Sequence, residues 1–175
     1  TNRADDAEAY LQTALTLDPG SSMANTTLGI VRVRQRKFDE AKTHLDKAIS
    51  KDPKNHIAYY QYAYLLSREG RDEFGYVNSF APEITAKMRE LLKKAIGINP
   101  SFAESYEMLA FVSLVSNDGL DEGIAAMHTA LKLQPGNQRY AMRIAELYSR
   151  QDKYDQAEEI VQKIVKTADE PQIKK

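Results

Sequence analysis

The sequence predicts an all-α protein built from a repeated pair of helices. Apolar residues recur at helical spacing over most of the chain, and prolines interrupt these segments at regular intervals. A short acidic mark, followed by a small residue, recurs about midway between the prolines. With 42% hydrophobic and 28% charged residues in a chain of 175, the composition suits a globular or repeat protein.

The prolines that end helical segments are evenly spaced. Pro19, Pro53, Pro100 and Pro135 follow one another at intervals of 34, 47 and 35 residues. Proline lacks an amide hydrogen and forces the preceding residue out of the helical region, so a helix ends before it. A period near 34, with one interval about 13 residues longer, is typical of a helical repeat protein.

The acidic mark divides each period into two helices. It stands at residues 4–7 (ADDA), 38–41 (FDEA), 120–123 (LDEG) and 154–157 (YDQA). We expect Asp39, Asp121 and Asp155 to be N-caps, because a carboxylate there accepts hydrogen bonds from free backbone amides. In each repeat, the helix after the proline turn is called the first helix, and the helix after the acidic mark is called the second.

The predicted helices follow in order from these two signals. They span residues 4–17, 22–35, 39–51, 56–69, 82–97, 103–116, 120–132, 138–151 and 154–168. Small residues recur where two helices must approach closely, namely Gly29, Ala63, Ala110 and Ala145 in first helices and Ala7, Ala41, Gly123 and Ala157 in second helices. Such hairpins cannot bury an apolar face alone, so we expect them to stack on their neighbours.

At these residues the sequence resembles the tetratricopeptide repeat family. The matching residues are Leu28, Gly29, Ala41, Leu45, Ala48 and Pro53; Tyr59, Ala63, Leu66, Leu92, Ala95 and Pro100; Tyr106, Leu109, Ala110, Gly123, Ala130 and Pro135; and Ile144, Ala145, Tyr148, Ala157 and Val161. No repeat has the family's tryptophan, and Arg32 and Ser113 replace its tyrosine in two repeats.

The resemblance implies a right-handed α–α superhelix of about four full repeats plus an N-terminal half repeat. The expected domain covers residues 1–175, with a half repeat at 1–21 and full repeats at 22–55, 56–102, 103–137 and 138–171. The second full repeat carries an insertion near 70–83. This insertion either packs its aromatic residues Phe74, Tyr76 and Phe80 onto neighbouring helices or contributes to a binding surface.

Charge and composition exclude several classes of function. Lys and Arg total 24 and Asp and Glu total 25, for a net charge of −1, which disfavours nucleic acid as the main partner. No apolar run is long enough to span a bilayer. Cysteine is absent, so disulfides and thiolate metal sites are excluded. The chain begins with Thr1, which suggests a piece of a longer protein, and its cellular compartment stays open.

The sequence offers little support for catalysis or for a cofactor. The glycine spacing of Gly70 and Gly75 fits a phosphate loop, but no strand precedes it and Tyr76-Val77 stand in place of Lys and Ser or Thr. The three histidines are not spaced for metal binding on one helix face. Acidic pairs fall at helix starts or on exposed faces. We therefore expect no catalytic residues, no metal and no cofactor.

Partner binding is expected on the first helices, which line the concave surface in tetratricopeptide arrays. The residues expected to face a partner are Met23, Thr26, Ile30, Val33, Ile57, Tyr60, Tyr64, Glu104, Glu107, Phe111, Leu114, Arg139, Met142 and Glu146. Seven of them form an apolar and aromatic stripe, namely Ile30, Val33, Ile57, Tyr60, Tyr64, Phe111 and Leu114. The stripe is bordered by Glu104, Glu107, Arg139 and Glu146, so the border is mainly acidic. The family's clamp for a terminal carboxylate is not matched, because Thr26 and Ile30 stand where its first Lys and Asn would be.

Two functions follow from this pattern. The first is an interaction module that binds a peptide or protein segment with apolar anchors, and the acidic border would select basic residues nearby. The second is an accessory domain of a larger bacterial enzyme or assembly, packed on its own chain. Apolar residues on the terminal helices, such as Tyr10 and Val161, also predict self-association through the ends.

Overall fold

A computed structural model describes residues 2–70 and 75–169, with side chains described for 8–70 and 75–166. Over these residues the ordered elements are all α-helices, and no strand occurs. The chain divides into two compact units, Thr1–Pro100 and Ser101–Lys175. Every predicted helix is present, with each end within two residues of its predicted position.

Each unit consists of antiparallel helices packed on their neighbours in the chain. Unit 1 holds α1 (Asn2–Leu17), α2 (Ser22–Arg34), α3 (Phe38–Lys51), α4 (His56–Glu69) and α5 (Pro82–Ile98). Unit 2 holds α6 (Ala103–Ser116), α7 (Leu120–Leu133), α8 (Gln138–Arg150) and α9 (Tyr154–Asp169). The tightest pairs are α2 with α3, α4 with α5, α6 with α7 and α8 with α9. First helices also touch within each unit, α2 with α4 and α6 with α8.

The turns before the prolines share one backbone conformation. Asp52, Asn99 and Gln134 end their helices with φ of −134°, −131° and −133°, as expected for a residue that precedes proline. In the first of these turns, the Asp52 carboxylate accepts a hydrogen bond of 2.9 Å from the Lys54 amide. The Asp-Pro pair therefore ends one hairpin and fixes the entry to the next.

The turns inside the hairpins use the left-handed region. Arg36 and Asp152 have φ of 60° and 59° at the equivalent place in the first and last full hairpins. The amide of Lys37 then donates to the carbonyl of Arg32 at 2.9 Å, and the equivalent bond in the last hairpin is 3.0 Å. This pattern satisfies free carbonyl groups at the end of the first helix.

The N-cap prediction for the three aspartates was wrong. The N-caps of α3 and α7 are Lys37 and Gly119, and α9 begins at Tyr154. Asp39, Asp121 and Asp155 lie inside the first turn of their helices. Their negative charge still favours the positive end of the helix dipole, but they do not cap it by hydrogen bonding as N-cap residues.

The small residues that mark the repeats lie at helix contacts. Among the described side chains, the buried members are Gly29, Ala41, Ala63, Ala110, Gly123, Ala145 and Ala157. The contact at Gly29 is the closest, because a Cβ there would lie 2.8 Å from Cγ of the fully buried Leu45. In unit 2 the core centres on Met127, Tyr140, Ile144 and Leu147.

Arg32, which replaces the family's tyrosine, joins three helices of unit 1. Its side chain is 11% exposed, and its Nη1 lies 2.6 Å from Oε1 of Glu8 on α1. Nε lies 2.7 Å from Oε2 of Glu40 on α3, without the alignment of a hydrogen bond. Hydrogen bonds from Arg32 and Gln35 hold the pKa of the Glu8 carboxyl below its usual value.

In the described part of the insertion, Phe80 packs against the end of α4. Phe80 is buried and its ring lies 3.1 Å from the position that a Cβ of Gly70 would take, at the end of α4. Pro82 begins α5, where its missing amide hydrogen costs nothing. Tyr76 is 71% exposed, and Phe74 lies outside the described residues.

Candidate partner-binding surface

Four of the residues predicted to face a partner line one pocket in unit 1, here called the arginine pocket. It encloses about 380 Å³ between α2 and α4. Its lining residues are Ile30, Val33, Arg34, Tyr60, Gln61, Tyr64 and Arg68. Val33 is buried in its floor, whereas the two tyrosines are half-buried. The pocket presents apolar and aromatic surface with two guanidinium groups.

A second pocket of about 380 Å³ lies on the same face and is here called the isoleucine pocket. It is lined by Ser22, Met23, Thr26, Thr27, Ile30, Asp52, Lys54, Asn55, His56 and Ile57. Ile30 lines both pockets, so they adjoin along α2. Met23 is 78% exposed and Ile57 is half-buried, which leaves apolar area for a partner.

Thr26 has a structural role in this region. It is 5% exposed, its hydroxyl donates to the Ser22 carbonyl at 2.8 Å and accepts from Asn55 Nδ2 at 3.0 Å. The same Asn55 caps α4 through its side-chain oxygen, which accepts from the Ala58 amide. These bonds link the start of α4 to α2, so the threonine hydroxyl is already occupied.

In unit 2 three of the four predicted charged residues form ion pairs. Arg139 Nη2 lies 3.0 Å from Glu107 Oε2, and Glu146 Oε2 lies 2.6 Å from Nη1 of Arg143. Glu104 is half-buried and no pair joins it to a cation among the described residues. Because these ion pairs neutralise much of the expected acidic border, the border is weaker than the sequence suggested.

Three predicted residues of unit 2 line an apolar pocket of about 820 Å³, here called the α8–α9 pocket. Its lining residues are Leu114, Met142, Ala145, Glu146, Ser149, Arg150, Tyr154, Ala157, Glu158 and Val161. Met142, Tyr154 and Val161 are each more than a third exposed. Phe111, predicted to belong to the stripe, is half-buried and lies outside this lining.

Sequence reasoning missed Arg34, Gln61 and Arg68. Arg34 follows Ile30 by four residues and Arg68 follows Tyr64 by four, so each lies on the same helix face as a residue that was predicted. Extending the helical spacing by one turn would have found both arginines. They change the chemistry of the unit 1 face, because its charged groups around the tyrosines are basic.

The described residues contain no cluster of three metal-ligating side chains. His44 Nδ1 lies 3.0 Å from Asn25 Oδ1, and His56 Nε2 lies 3.0 Å from Asn99 Nδ2. Burial lowers the pKa of His44, and the nearby positive charges of Lys47 and Arg32 add to this effect. Two of the three histidines are thus engaged in hydrogen bonds between helices.

Within the described part of the chain, no helix is both long and apolar enough to cross a bilayer.

Solved structures with this fold are known, although sequence identity to them is low. MamA from Desulfovibrio magneticus RS-1 gives a TM-score of 0.76 at 19% identity, over 97% of this chain and 88% of that one. YrrB, described as a tetratricopeptide protein with an unusual peptide-binding site, gives 0.71 at 21% identity, over 98% and 80%. The first tetratricopeptide domain of Spaghetti (RPAP3), bound to an HSP90 peptide, gives 0.62 at 18% identity, over 75% and 94%.

The sequence was also compared with curated proteins and with models of protein families. No curated protein matches the chain. The model of the tetratricopeptide repeat matches residues 1–63 and 114–175, which together make up more than half of the chain. The helices, their order and the solved neighbours agree with this match. The chain therefore belongs to the tetratricopeptide repeat family.

Proposed function

We propose that the protein is a noncatalytic module that binds a segment of a partner protein on the first helices of its repeats. The observation that carries this proposal is the pair of adjoining pockets on α2 and α4, which share Ile30. Tyr60 and Tyr64 lie in one of them, and tyrosine is a favoured anchor residue in interfaces. In this proposal the chain is one tetratricopeptide domain with the predicted repeat boundaries, and it holds no cofactor.

The solved neighbours support peptide binding as the mode of action. YrrB is described as having a peptide-binding site, and the Spaghetti domain holds a peptide. The size of the two pockets suits single side chains of an extended or helical segment. An apolar residue of that segment would fill the isoleucine pocket beside Met23 and Ile57. Burial of such a side chain contributes about 1.5–3 kcal/mol.

The insertion leaves these pockets uncovered as far as it is described. Its residues 75–81 are absent from the linings of the arginine and isoleucine pockets. Ser79, Phe80 and Ala81 instead line a separate pocket with Leu66 and Ile84. Because the described residues 75–81 do not line these two pockets, they favour the binding of a partner segment over an accessory role in which they would fill the face.

The test is to remove the two tyrosine rings together. A Tyr60→Ala, Tyr64→Ala variant is compared with wild type in a quantitative pull-down from the native host, after circular dichroism has confirmed its helix content. Tyr62→Ala is the matched control, since Tyr62 is half-buried on the same helix, α4, and lines neither pocket. We expect specific partners to be lost with the double variant and kept with the control. Unchanged capture by all three proteins would contradict the proposal.

An accessory role is the second candidate, and the α8–α9 pocket favours it. This pocket is more than twice the size of either pocket on α2 and α4, and Val165 on α9 is also 52% exposed. Exposed apolar surface of this kind marks contacts with other chains or domains. In this alternative, the terminal helices mediate self-association or packing within a larger assembly.

A further inference from the structure

Two positively charged arginines line the arginine pocket, although the sequence predicted an acidic border for the binding surface. Neither arginine is buried in the core. Arg34 is exposed at the end of α2, and Arg68 is half-buried in the last turn of α4. Among the described residues neither guanidinium has an ion-pair partner, whereas Arg32, Arg139 and Arg143 each pair with a glutamate. Two like charges that line one pocket repel each other, and an anion between them would offset that repulsion.

The surroundings of the two arginines fit a carboxylate. A guanidinium group donates two parallel hydrogen bonds to the two oxygens of a carboxylate, which makes arginine the preferred partner for that group. Gln61 adds an amide that donates or accepts hydrogen bonds at the same pocket. Tyr60 and Tyr64 line the same wall and would contact the methylene groups of an acidic side chain.

We propose that the arginine pocket selects an acidic side chain, Asp or Glu, in a partner segment whose neighbouring apolar residue occupies the isoleucine pocket. This inference rests on the proposed function and names the chemistry of the partner. Ile30 separates the two pockets and lines both, so one continuous segment reaches both. The pattern of recognition is an apolar residue and an acidic residue close together in the partner's sequence.

A carboxylate on a side chain fits better than one at the end of a chain. The family's clamp for a terminal carboxylate is not matched here, because Thr26 and Ile30 stand where its first Lys and Asn would be, and the Thr26 hydroxyl already donates to the Ser22 carbonyl. Nucleic acid is disfavoured by the overall charge of −1, since binding to a phosphate backbone needs several cations rather than two.

The experiment selects binding sequences from a displayed library of random peptides on the 175-residue protein. We expect enriched peptides that combine an apolar residue with Asp or Glu. The same selection is repeated on an Arg34→Gln, Arg68→Gln variant. A Lys94→Gln, Lys132→Gln variant is the charge-matched control, because both lysines are exposed and line none of the pockets described above. The acidic preference should vanish only in the arginine variant, while the apolar preference remains.

Binding of one enriched peptide is then measured by fluorescence anisotropy. The arginine variant should bind it roughly tenfold more weakly, as expected for two solvent-accessible charge contacts. Replacing the acidic residue of the peptide with Gln should have the same effect on wild type, and added salt should weaken wild-type binding.

Each alternative outcome is informative. Enrichment of apolar residues without acidic ones would overturn this inference and leave the proposed function intact. Enrichment of basic residues, or of peptides that need a free carboxyl terminus, would also overturn it. No enrichment at all would contradict both proposals. Tight binding of an oligouridine probe that the arginine variant loses would assign the pocket to nucleic acid instead.

Discussion

Three glycines in helices offer a sharp test of how closely the helices approach. Gly29 lies at the contact between α2 and α3, Gly123 lies in the core of unit 2 and Gly97 lies near the end of α5. A Cβ at Gly29 would be 2.8 Å from Cγ of Leu45, while a Cβ at Gly97 would meet nothing within 4 Å. The same substitution, glycine to alanine, should therefore have opposite effects at the two sites.

At each site, the balance between helix propensity and overpacking decides whether alanine stabilises or destabilises the protein. Alanine is favoured over glycine inside a helix by up to about 1 kcal/mol. At Gly29 this gain competes with overpacking, which costs about 1–3 kcal/mol. Carbon atoms pack at about 3.5–4.0 Å, so Leu45 would have to move by roughly 1 Å from a fully buried position. We expect Gly29→Ala to destabilise the protein by about 1–2 kcal/mol.

Gly97→Ala should stabilise the protein, by about 0.5 kcal/mol because the last turn of a helix is already frayed. Gly123→Ala should fall between them, since its Cβ would lie 3.0 Å from the Ser113 Cβ and 3.3 Å from the Leu147 Cδ2. The free energies of unfolding of Gly97→Ala and Gly29→Ala should therefore differ by about 2 kcal/mol, which corresponds to about 4–8 °C in Tm for a chain of this size.

The assay is urea unfolding followed by circular dichroism, together with thermal melts. Because repeat arrays do not always unfold in one step, hydrogen exchange of the α2 and α3 amides provides a local measure. The destabilisation caused by Gly29→Ala should be smaller in a protein that also carries Leu45→Val. The effects of substitutions at two contacting residues on the free energy of unfolding are not additive. A Gly29→Ala variant as stable as Gly97→Ala would refute the close contact between α2 and α3.

Three further predictions concern packing, pH and assembly. Ala110→Leu should cost about 1–3 kcal/mol or more, because Ala110 is fully buried at a helix contact; an unchanged thermal melt would show that the repeat register is wrong. The pKa of Glu8 is lowered mainly by its hydrogen bond to Arg32, so the bond stabilises the protein above the usual pKa of 4.5 and this stability is lost as the pH falls through the lower folded pKa. Glu8→Gln should therefore flatten the loss of stability on acidification in urea titrations at several pH values, and an identical pH profile would contradict it. Val161→Asp should reduce self-association at high concentration in sedimentation velocity, whereas a wild-type protein that stays monomeric would argue against contacts through α9.

The helices could be predicted from sequence because their signals are local. Proline stops a helix by its own geometry, and the extended φ of Asp52 follows directly from the residue after it. The N-caps could not be placed with the same accuracy. An aspartate favours both the cap and the first turn of a helix, and the two positions differ by only a residue or two, as at Asp39.

The candidate surface was predicted only in part, because it depends on neighbouring helices. Ile30 and Tyr64 lie in the pocket that the helical spacing suggested. Thr26 and Val33 have the same spacing, but packing and hydrogen bonds bury them. The acidic border was expected from the helical spacing on the first helices, and the pairing of Glu107 with Arg139 across two helices is visible only in the fold.

Specificity in such a repeat protein has to come from positions that do not repeat. The residues five places after the small residues Gly29, Ala63, Ala110 and Ala145 are Arg34, Arg68, Val115 and Arg150. All four lie at or near the end of a first helix and none of them is buried, so the helix contacts do not fix the charge at this position. Arg34 and Arg68 bring two cations to the arginine pocket of unit 1, whereas Val115 stands at this position in the first repeat of unit 2. A substitution at Arg34 or Arg68 would therefore alter the choice of partner without disturbing the contacts between helices. The side chains of the arginine pocket, and not the residues that define the repeats, determine which ligand binds.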